Sequence, residues 1–398
     1  MDKKLRILMM IHRQADNSPY CFYVHEQAKA LKARGHEVVV ISCMGVLPMM
    51  ERLRPKLAEV NARTPKQDVI DGIPVYYPRC LTMGNSGEKY LGGRLLAAAA
   101  LPIARRLHKE KPFDIVHAHM LPRDGHAGML VARALKIPFA LTVHGTDIFH
   151  YFIPGKTPWA RNQMIAREAD ALMAVSNLLM SRVAPYRGEG KISRIVPNGV
   201  DLSLVPDVTD NVPRTVISVG TLKARKCMDR TLEAFAHLAD EYPDAKLTIV
   251  GIGEMESQLK ARIAQLGLGD RVEMTGGLPH EQVIQRMAGS DLFVLPSCGE
   301  GYGIVYIEAM AAGCISVGAV GEGIEDTITD GENGFLVPAG DVEEIERVMR
   351  SVFENRDQYA ALRAKGQRDA KRLTWARNAE TVEAIYLETI DRFNIIRR

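Results

Sequence analysis

A chain of 398 residues, 46% hydrophobic and 25% charged, is long enough for two domains with full cores and has the composition of an ordinary soluble globular protein. Its formal net charge of +3 is too small to imply a nucleic-acid partner. Six scattered cysteines, Cys21, Cys43, Cys80, Cys227, Cys298 and Cys314, form no C-x-x-C pair, which fits reduced thiols in a cytoplasm better than a disulfide frame or a zinc site.

The first apolar run mimics a signal peptide only briefly. Arg6 interrupts it and His12 and Arg13 end it, short of the ~7–15 apolar residues such a segment needs. A buried strand over 5–11 is expected instead. Further runs predict strands over 37–42, 73–77, 114–118, 138–143, 171–175 and 192–196, with amphipathic stretches such as 23–34 and 124–135 between them. That alternation predicts parallel sheets with crossover helices. The mild apolar run 95–103 is far short of the ~20 residues a membrane span needs. Behind it lie Arg105, Arg106, His108, Lys109 and Lys111. This basic cluster reads either as a solvated helix end, where cations suit the dipole, or as a contact for an anionic membrane surface.

From Pro197 to Pro213 the chain is rich in Pro, Asp and Asn and lacks a period, so it reads as a linker with a domain boundary near residue 203. A second strand series follows at 214–219, 246–251, 271–275, 291–295, 314–318 and 333–337, and helices close the chain at about 341–354, 356–372 and 375–396. The expected class is α/β, with doubly wound domains over 1–203 and 204–374. In such sheets ligands bind at the carboxyl ends of the strands.

The most informative stretch is Ser297-Cys-Gly-Glu-Gly-Tyr-Gly-Ile-Val-Tyr-Ile-Glu-Ala-Met-Ala-Ala-Gly313, which follows the buried strand pattern Asp291-Leu-Phe-Val-Leu-Pro296. Gly301, Tyr302 and Gly303 are read as opening a helix, which puts Glu300 in the loop above a strand end and Glu308 about two turns into the helix. Glycines let the backbone approach a ligand, and free helix amides bind anions. Carboxylates that seek hydroxyls beside amides that seek anions suit a sugar attached to a phosphate. Ser297-x-x-Glu300 also matches a capping box, although Gly299, Gly301 and Gly303 argue against helix there.

Glu300-x7-Glu308 followed by Ala-Met-Ala-Ala-Gly313 resembles the signature of the family 4 glycosyltransferases. The resemblance spans nearly the whole chain. Gly35-His-Glu-Val38, Asp114-Ile-Val-His-Ala-His119, Leu141-Thr-Val-His-Gly-Thr-Asp147, Val175-Ser176-Asn177 and Pro197-Asn-Gly-Val-Asp201 are similar to landmarks of that family's first domain. Val219-Gly-Thr-Leu222 with Lys226, Ile249-Val-Gly-Ile-Gly253 and Asp330-Gly-Glu-Asn-Gly-Phe-Leu-Val337 are similar to landmarks of its second. The resemblance implies a retaining, nucleotide-sugar-dependent enzyme with the GT-B fold, two Rossmann-like domains facing across a cleft. It implies a final helix, 375–398, that returns to the first domain at Thr374-Trp375.

It also implies roles. His144 is the first-domain residue nearest the reacting sugar, and Asp147 orients it or binds acceptor. His117 and His119 end the neighbouring strand and are read as pointing to opposite faces, with His119 the one offered to the acceptor side. Lys226 binds the donor diphosphate. Glu300 and the amides of Tyr302 and Gly303 hold the donor sugar, with Gly220, Gly301 and Ile304 in the same donor set, and Glu308 holds the ribose. Gly276, in Thr275-Gly-Gly-Leu278, lies where a nucleobase sits in the family or simply in a strand-end turn. Gly251-x-Gly253 lacks the full G-x-G-x-x-G, because residue 256 is Glu.

Two departures stand out. Thr221 occupies the place of the family's arginine, so Arg225 or Lys223 is expected to supply that cation. The loop His12-Arg-Gln-Ala-Asp-Asn-Ser-Pro-Tyr20 lacks the Gly-Gly pair common in the family. No Asp-x-Asp triplet is present, so transfer without a metal or other cofactor is expected. The implied partners are a nucleotide-sugar donor and a glycan or lipid-linked acceptor, in the cytoplasm or at the inner face of its membrane. The departures motivate an alternative, a catalytically silent sugar-nucleotide-binding subunit, and a nucleotide-sugar epimerase of the same fold is a third reading.

Overall fold

Runs of β-branched and aliphatic residues too short for helices form strands, the central ones buried on both faces in the pattern of parallel sheets. The fold is that of a computed structural model describing residues 3–12, 21–46, 52, 55–81, 84–156, 158–207 and 211–397. It divides into two compact units, Met1–Pro197 with Trp375–Arg398, and Asn198–Thr374.

Unit 1 carries β1 (Arg6–His12), β2 (Glu37–Val46), β3 (Gln67–Ile70), β4 (Ile73–Tyr76), β5 (Arg79–Leu81), β6 (Ile115–His119), β7 (Phe139–Val143), β8 (Ala171–Ala174) and β9 (Ile192–Ile195). The strand order is β3-β4-β2-β1-β6-β7-β8-β9, with β5 paired to β2. All pairs are parallel except β3–β4, an antiparallel hairpin whose turn is Asp71-Gly72 with φ of 49° and 69°. Positive φ at both turn residues matches the twist of a two-residue hairpin. The long helix Gly84–Glu110 buries Leu96, Ala100, Ala104 and Leu107 and packs chiefly on the helix His126–Leu135. The C-terminal helix Trp375–Arg397 packs on unit 1: Gln27 Nε2 donates to Asn378 Oδ1 at 2.8 Å, and Arg34 pairs with Glu383. Its Val382, Ile385 and Tyr386 join the core of Ile7, Met9, Val38 and Val40.

Unit 2 carries β10 (Val212–Val219), β11 (Lys246–Val250), β12 (Val272–Gly276), β13 (Ser290–Val294), β14 (Ile315–Ala319) and β15 (Phe335–Val337) in the order β12-β11-β10-β13-β14-β15, all parallel. The linker expected over 197–213 is shorter than the composition suggested. Val200 N donates to Leu373 O at 2.8 Å, and Asn211 is buried with its amide on Ala288 O and Ser290 O at 3.1 and 2.5 Å. Polar residues there serve the unit 2 framework. The division therefore falls after Pro197, where the sequence placed it near 203.

Candidate functional site

In each unit the strand order reverses at one place. In unit 2 the chain goes from β10 to β11 on one side and later to β13 on the other, so the switch point lies between β10 and β13. Two loops diverge there, the places where open α/β sheets bind ligands. The first, after β10, ends in a short 3-10 turn, Ala224–Lys226, and Cys227 at φ 52° redirects it into the helix Met228–Ala239. The second, after β13, leads to the helix Ile304–Ala311.

Lys226 is only 8% exposed, and its Nζ is ion-paired with Glu300. A buried lysine needs such a partner, because removing an ammonium from water is costly. The loops are also joined through backbone: Cys298 N donates to Arg225 O at 2.7 Å, and the Arg225 guanidinium donates to Gly299 O at 3.3 Å. Lys223 is exposed. Glu322, after β14, holds the second loop from its other side, accepting from the amides of Gly299 and Glu300 at 2.8 and 2.6 Å. Burial pushes the Glu322 carboxyl up, opposed by those two amides.

The helix begins at Ile304, later than the sequence suggested, with Gly303 at its N-cap and no side chain capping it. Gly303 has φ of 84°, and a Cβ there would meet the Tyr306 ring at 2.5 Å, so the close turn requires glycine. No capping box forms: Ser297 Oγ instead bonds the Tyr306 hydroxyl at 3.0 Å. The first helical amides, Ile304 among them, are left without side-chain caps. Glu308 is the fifth helical residue, little more than one turn in rather than two. It is buried and accepts from His280 Nε2 at 2.7 Å. Tyr302 is buried, so only its backbone is in a position to serve a ligand. The Tyr306 ring packs edge-on to Phe293 at 5.3 Å beneath the loop, and burial raises its hydroxyl pKa.

The remaining glycines of the donor set divide by use. The Gly220 amide is committed to Val250 O at 3.0 Å. A Cβ at Gly251 would lie 1.9 Å from Gly220 O, and one at Gly253 would lie 2.4 Å from Leu222 O. That pair allows close contact between loops. Around Gly276 there is open space, although its carbonyl accepts from Gly251 N at 2.9 Å.

In unit 1 the order reverses between β1 and β6, and histidines gather at the carboxyl ends of β1, β6 and β7. His117 and His119 do not point to opposite faces. Residues two apart on a strand share a face, and their rings lie 4.1 Å apart, both buried. His117 is bonded at both ring nitrogens, to the Tyr386 hydroxyl at 2.6 Å and the Thr142 hydroxyl at 2.7 Å. His119 Nδ1 lies 3.1 Å from His144 Nε2, and the Tyr23 ring packs against His144 at 4.2 Å, tilted by 31°. His119 is 1% exposed and sits against His144, so the open acceptor-side face expected of it is not there. Nδ1 of His144 has no hydrogen-bond partner among the described residues. Burial keeps these imidazoles neutral: His119 is pushed down to about 3, and His117 and His144 well below the ordinary value.

Asp147 is fully buried, and three backbone amides take its carboxylate: His144 N at 3.1 Å, Gly145 N at 2.8 Å and Leu121 N at 3.1 Å. It shapes the turn that presents His144 and has no free face for an acceptor. Burial raises its pKa against the pull of those amides. His12 pairs with buried Asp124 at the end of β1. The glycine-poor loop that follows, residues 13–20, lies outside the described residues.

The comparisons with known proteins agree with one another. Residues 22–204 match the family described as Glycosyltransferase Family 4, and residues 207–369 match Glycosyl transferases group 1. The chain belongs to the family 4 glycosyltransferases. It is 25% identical over 387 residues to a glycogen synthase of Mycobacterium tuberculosis, covering 92% of this chain and 90% of that protein. Its fold is similar to a sucrose-phosphate synthase from Thermosynechococcus elongatus, with a TM-score of 0.77 at 18% identity over 98% of this chain and all of the other. It is also similar to Anabaena HepE in complex with UDP-glucose, with a TM-score of 0.71 at 19% identity over 97% of this chain and all of the other. The two Rossmann-like units are those of the GT-B fold.

Within this glycosyltransferase, sequence reasoning missed Glu322, His280 and Tyr23. Glu322 was open to discovery, since it follows a strand end beside the switch point. His280 and Tyr23 are far in sequence from the carboxylate and imidazole they touch, and no spacing marks them. The basic cluster is largely absorbed by the fold: Arg106 pairs with Glu110 at 3.0 Å, Lys111 pairs with Glu37, and His108 Nδ1 accepts from Phe113 N at 3.0 Å. Among the described residues no helix is long and apolar enough to cross a membrane.

Proposed function

We propose that this glycosyltransferase is a retaining, metal-independent enzyme that moves a hexose from a UDP- or GDP-sugar to an acceptor hydroxyl, in surface polysaccharide or glycolipid synthesis at the cytoplasmic side of a membrane. The observation that carries this reading is the buried Lys226–Glu300 pair at the unit 2 switch point, beside an uncapped helix start. A diphosphate has the charge to draw Lys226 off Glu300. Glu300 then accepts hydrogen bonds from sugar hydroxyls, and Glu308, oriented by His280, accepts from the ribose. Arg225 adds the cation that Thr221 does not supply.

Lys226, Arg225 and the helix amides stabilise the charge that develops on the leaving diphosphate as its bond to the anomeric carbon breaks, a role that elsewhere falls to a metal. The acceptor oxygen bonds that carbon from the side the diphosphate leaves, so configuration is kept, and a diphosphate oxygen takes the acceptor's proton. The family resemblance assigns a hydrogen bond to the sugar to His144, whose ring is neutral with Nδ1 free. The bound UDP-glucose of the HepE structure supports a nucleotide-sugar donor.

The test is thermal unfolding of the purified protein with a panel of UDP- and GDP-sugars, with and without EDTA, beside Lys226→Ala. Ligand that binds the native state raises the melting temperature. One donor class should stabilise the protein regardless of EDTA, with the shift lost in the variant. Loss of the shift in EDTA would overturn metal independence. Donor binding without transfer to any acceptor would mark a silent subunit.

A further inference from the structure

Of the six cysteines, Cys21, Cys43, Cys80 and Cys314 are buried, while Cys298 is exposed and Cys227 half-buried. The two accessible ones meet. Both converge on one carbonyl, Arg225 O, which accepts from Cys227 Sγ at 3.8 Å and from Cys298 N at 2.7 Å. The Cys227 sulfur and the Cys298 backbone amide thus lie against the same oxygen, which brings the two residues side by side. Each is also a near neighbour in sequence of one member of the buried ion pair: Cys227 follows Lys226, and Cys298 lies two residues before Glu300. Cys227 sits at the left-handed turn that ends the first loop.

We infer that Cys227 and Cys298 form an oxidisable dithiol, and that their disulfide ties the Lys226 loop to the Glu300 loop and weakens donor binding. The oxidant is a peroxide. The exposed Cys298 sulfur, as thiolate, attacks one peroxide oxygen, the O–O bond breaks, and the proton and the other oxygen leave as water, giving a sulfenic acid. The Cys227 sulfur then attacks the Cys298 sulfur. An S–S bond forms, the S–O bond breaks, and hydroxide leaves with the Cys227 proton as a second water. Two thiols and one hydrogen peroxide become one disulfide and two waters. Burial pushes the Cys227 thiol up to about 11, so exposed Cys298 is the sulfur that meets the peroxide first. The effect on binding follows from the ion pair and rests on the donor reading above. A diphosphate must enter between Lys226 and Glu300, and a covalent tie across their loops opposes that separation.

The experiment has two arms. The first treats the intact protein with hydrogen peroxide and maps its peptides without reduction. The expected result is a Cys227–Cys298 linkage, reversed by dithiothreitol and absent in Cys298→Ser. Sulfinic acid on Cys298 with Cys227 still a free thiol would overturn the dithiol. The second arm compares donor affinity of reduced and oxidised protein. Oxidation should weaken it about 10-fold, a typical size for coupling between sites, with no change in Cys298→Ser. Equal affinity in both forms would overturn the link to the donor site. Reduced protein that binds no nucleotide sugar would count against the donor reading itself, while the peptide map would still decide the chemistry of the pair.

Discussion

The two units solve the same problem, holding polar groups at a strand-order reversal, with opposite chemistry. Nine of the eleven histidines lie in unit 1, and at its reversal His117, His119 and His144 are neutral imidazoles packed on one another and on tyrosine, beside buried Asp124 and Asp147. Unit 2 uses paired charges: largely buried Lys226 with Glu300 at its reversal, and fully buried Asp291 with Arg356 and Arg363 at the amino end of β13. A neutral ring can be packed tightly at modest desolvation cost and still offer one hydrogen bond. A buried ion pair is costly to make but can exchange partners with a charged ligand. Unit 1 is thus built to present a fixed polar surface, and unit 2 to trade charge.

The largest effect should come from unit 2. Lys226→Ala or Glu300→Ala should each cut turnover about 10²–10³-fold, the scale for one lost stabilising group, while circular dichroism shows a folded protein. Full turnover in both variants would break the contrast. Next comes the frame of unit 1. Asp147→Ala strands three amides and should cost ~3 kcal/mol or more in urea unfolding, at about 1–3 kcal/mol per unsatisfied group. The donor-induced melting shift of unit 2 should survive in that variant.

The histidine stack also predicts a pH signature. The unfolded imidazole takes a proton near 6.5, whereas folded His119 resists until about 3. The unfolded state therefore binds more protons in that window. Stability is complete above pH 6.5 and falls towards pH 3, by at most about 1.4 kcal/mol per histidine per pH unit. Unfolding at pH 7 and pH 5 should show this loss, and His119→Gln should reduce it. A smaller effect belongs to His280→Ala, which frees Glu308 and should raise KM for the donor about 10-fold, the worth of one charged hydrogen bond, with kcat nearly unchanged. Smallest is Thr221→Arg, which adds a cation to the first loop. It should tighten donor binding by a factor of only ~2–5, as for an exposed charge.

Much was legible in the sequence because it is written in local pattern. Apolar runs between amphipathic stretches marked the parallel strands of both sheets, since burial on both faces demands an unbroken apolar run. The hairpin β3–β4 went unread although Asp71-Gly72 is its turn signal, because β3 is exposed and carries no apolar pattern. Glycines at the loop after β13 correctly excluded helix there, for Gly303 has a backbone conformation that other residues resist.

What tertiary structure decided is every relation between residues distant in the chain. Lys226 meets Glu300 only because β10 and β13 are neighbours, and His280 finds Glu308 only through the packing of two helices. The common face of His117 and His119 follows from the strand period, yet their burial depends on Tyr386 arriving from the last helix. The sequence reads Asp147 as orienting His144 or binding acceptor, and only the fold shows the turn closing the amides of Leu121, His144 and Gly145 over it. The sequence by itself determined which segments become strands and helices, through side-chain volume, polarity and backbone freedom. Only the fold decided which charges pair and which imidazoles stay neutral, because both depend on distance and desolvation that no local pattern records.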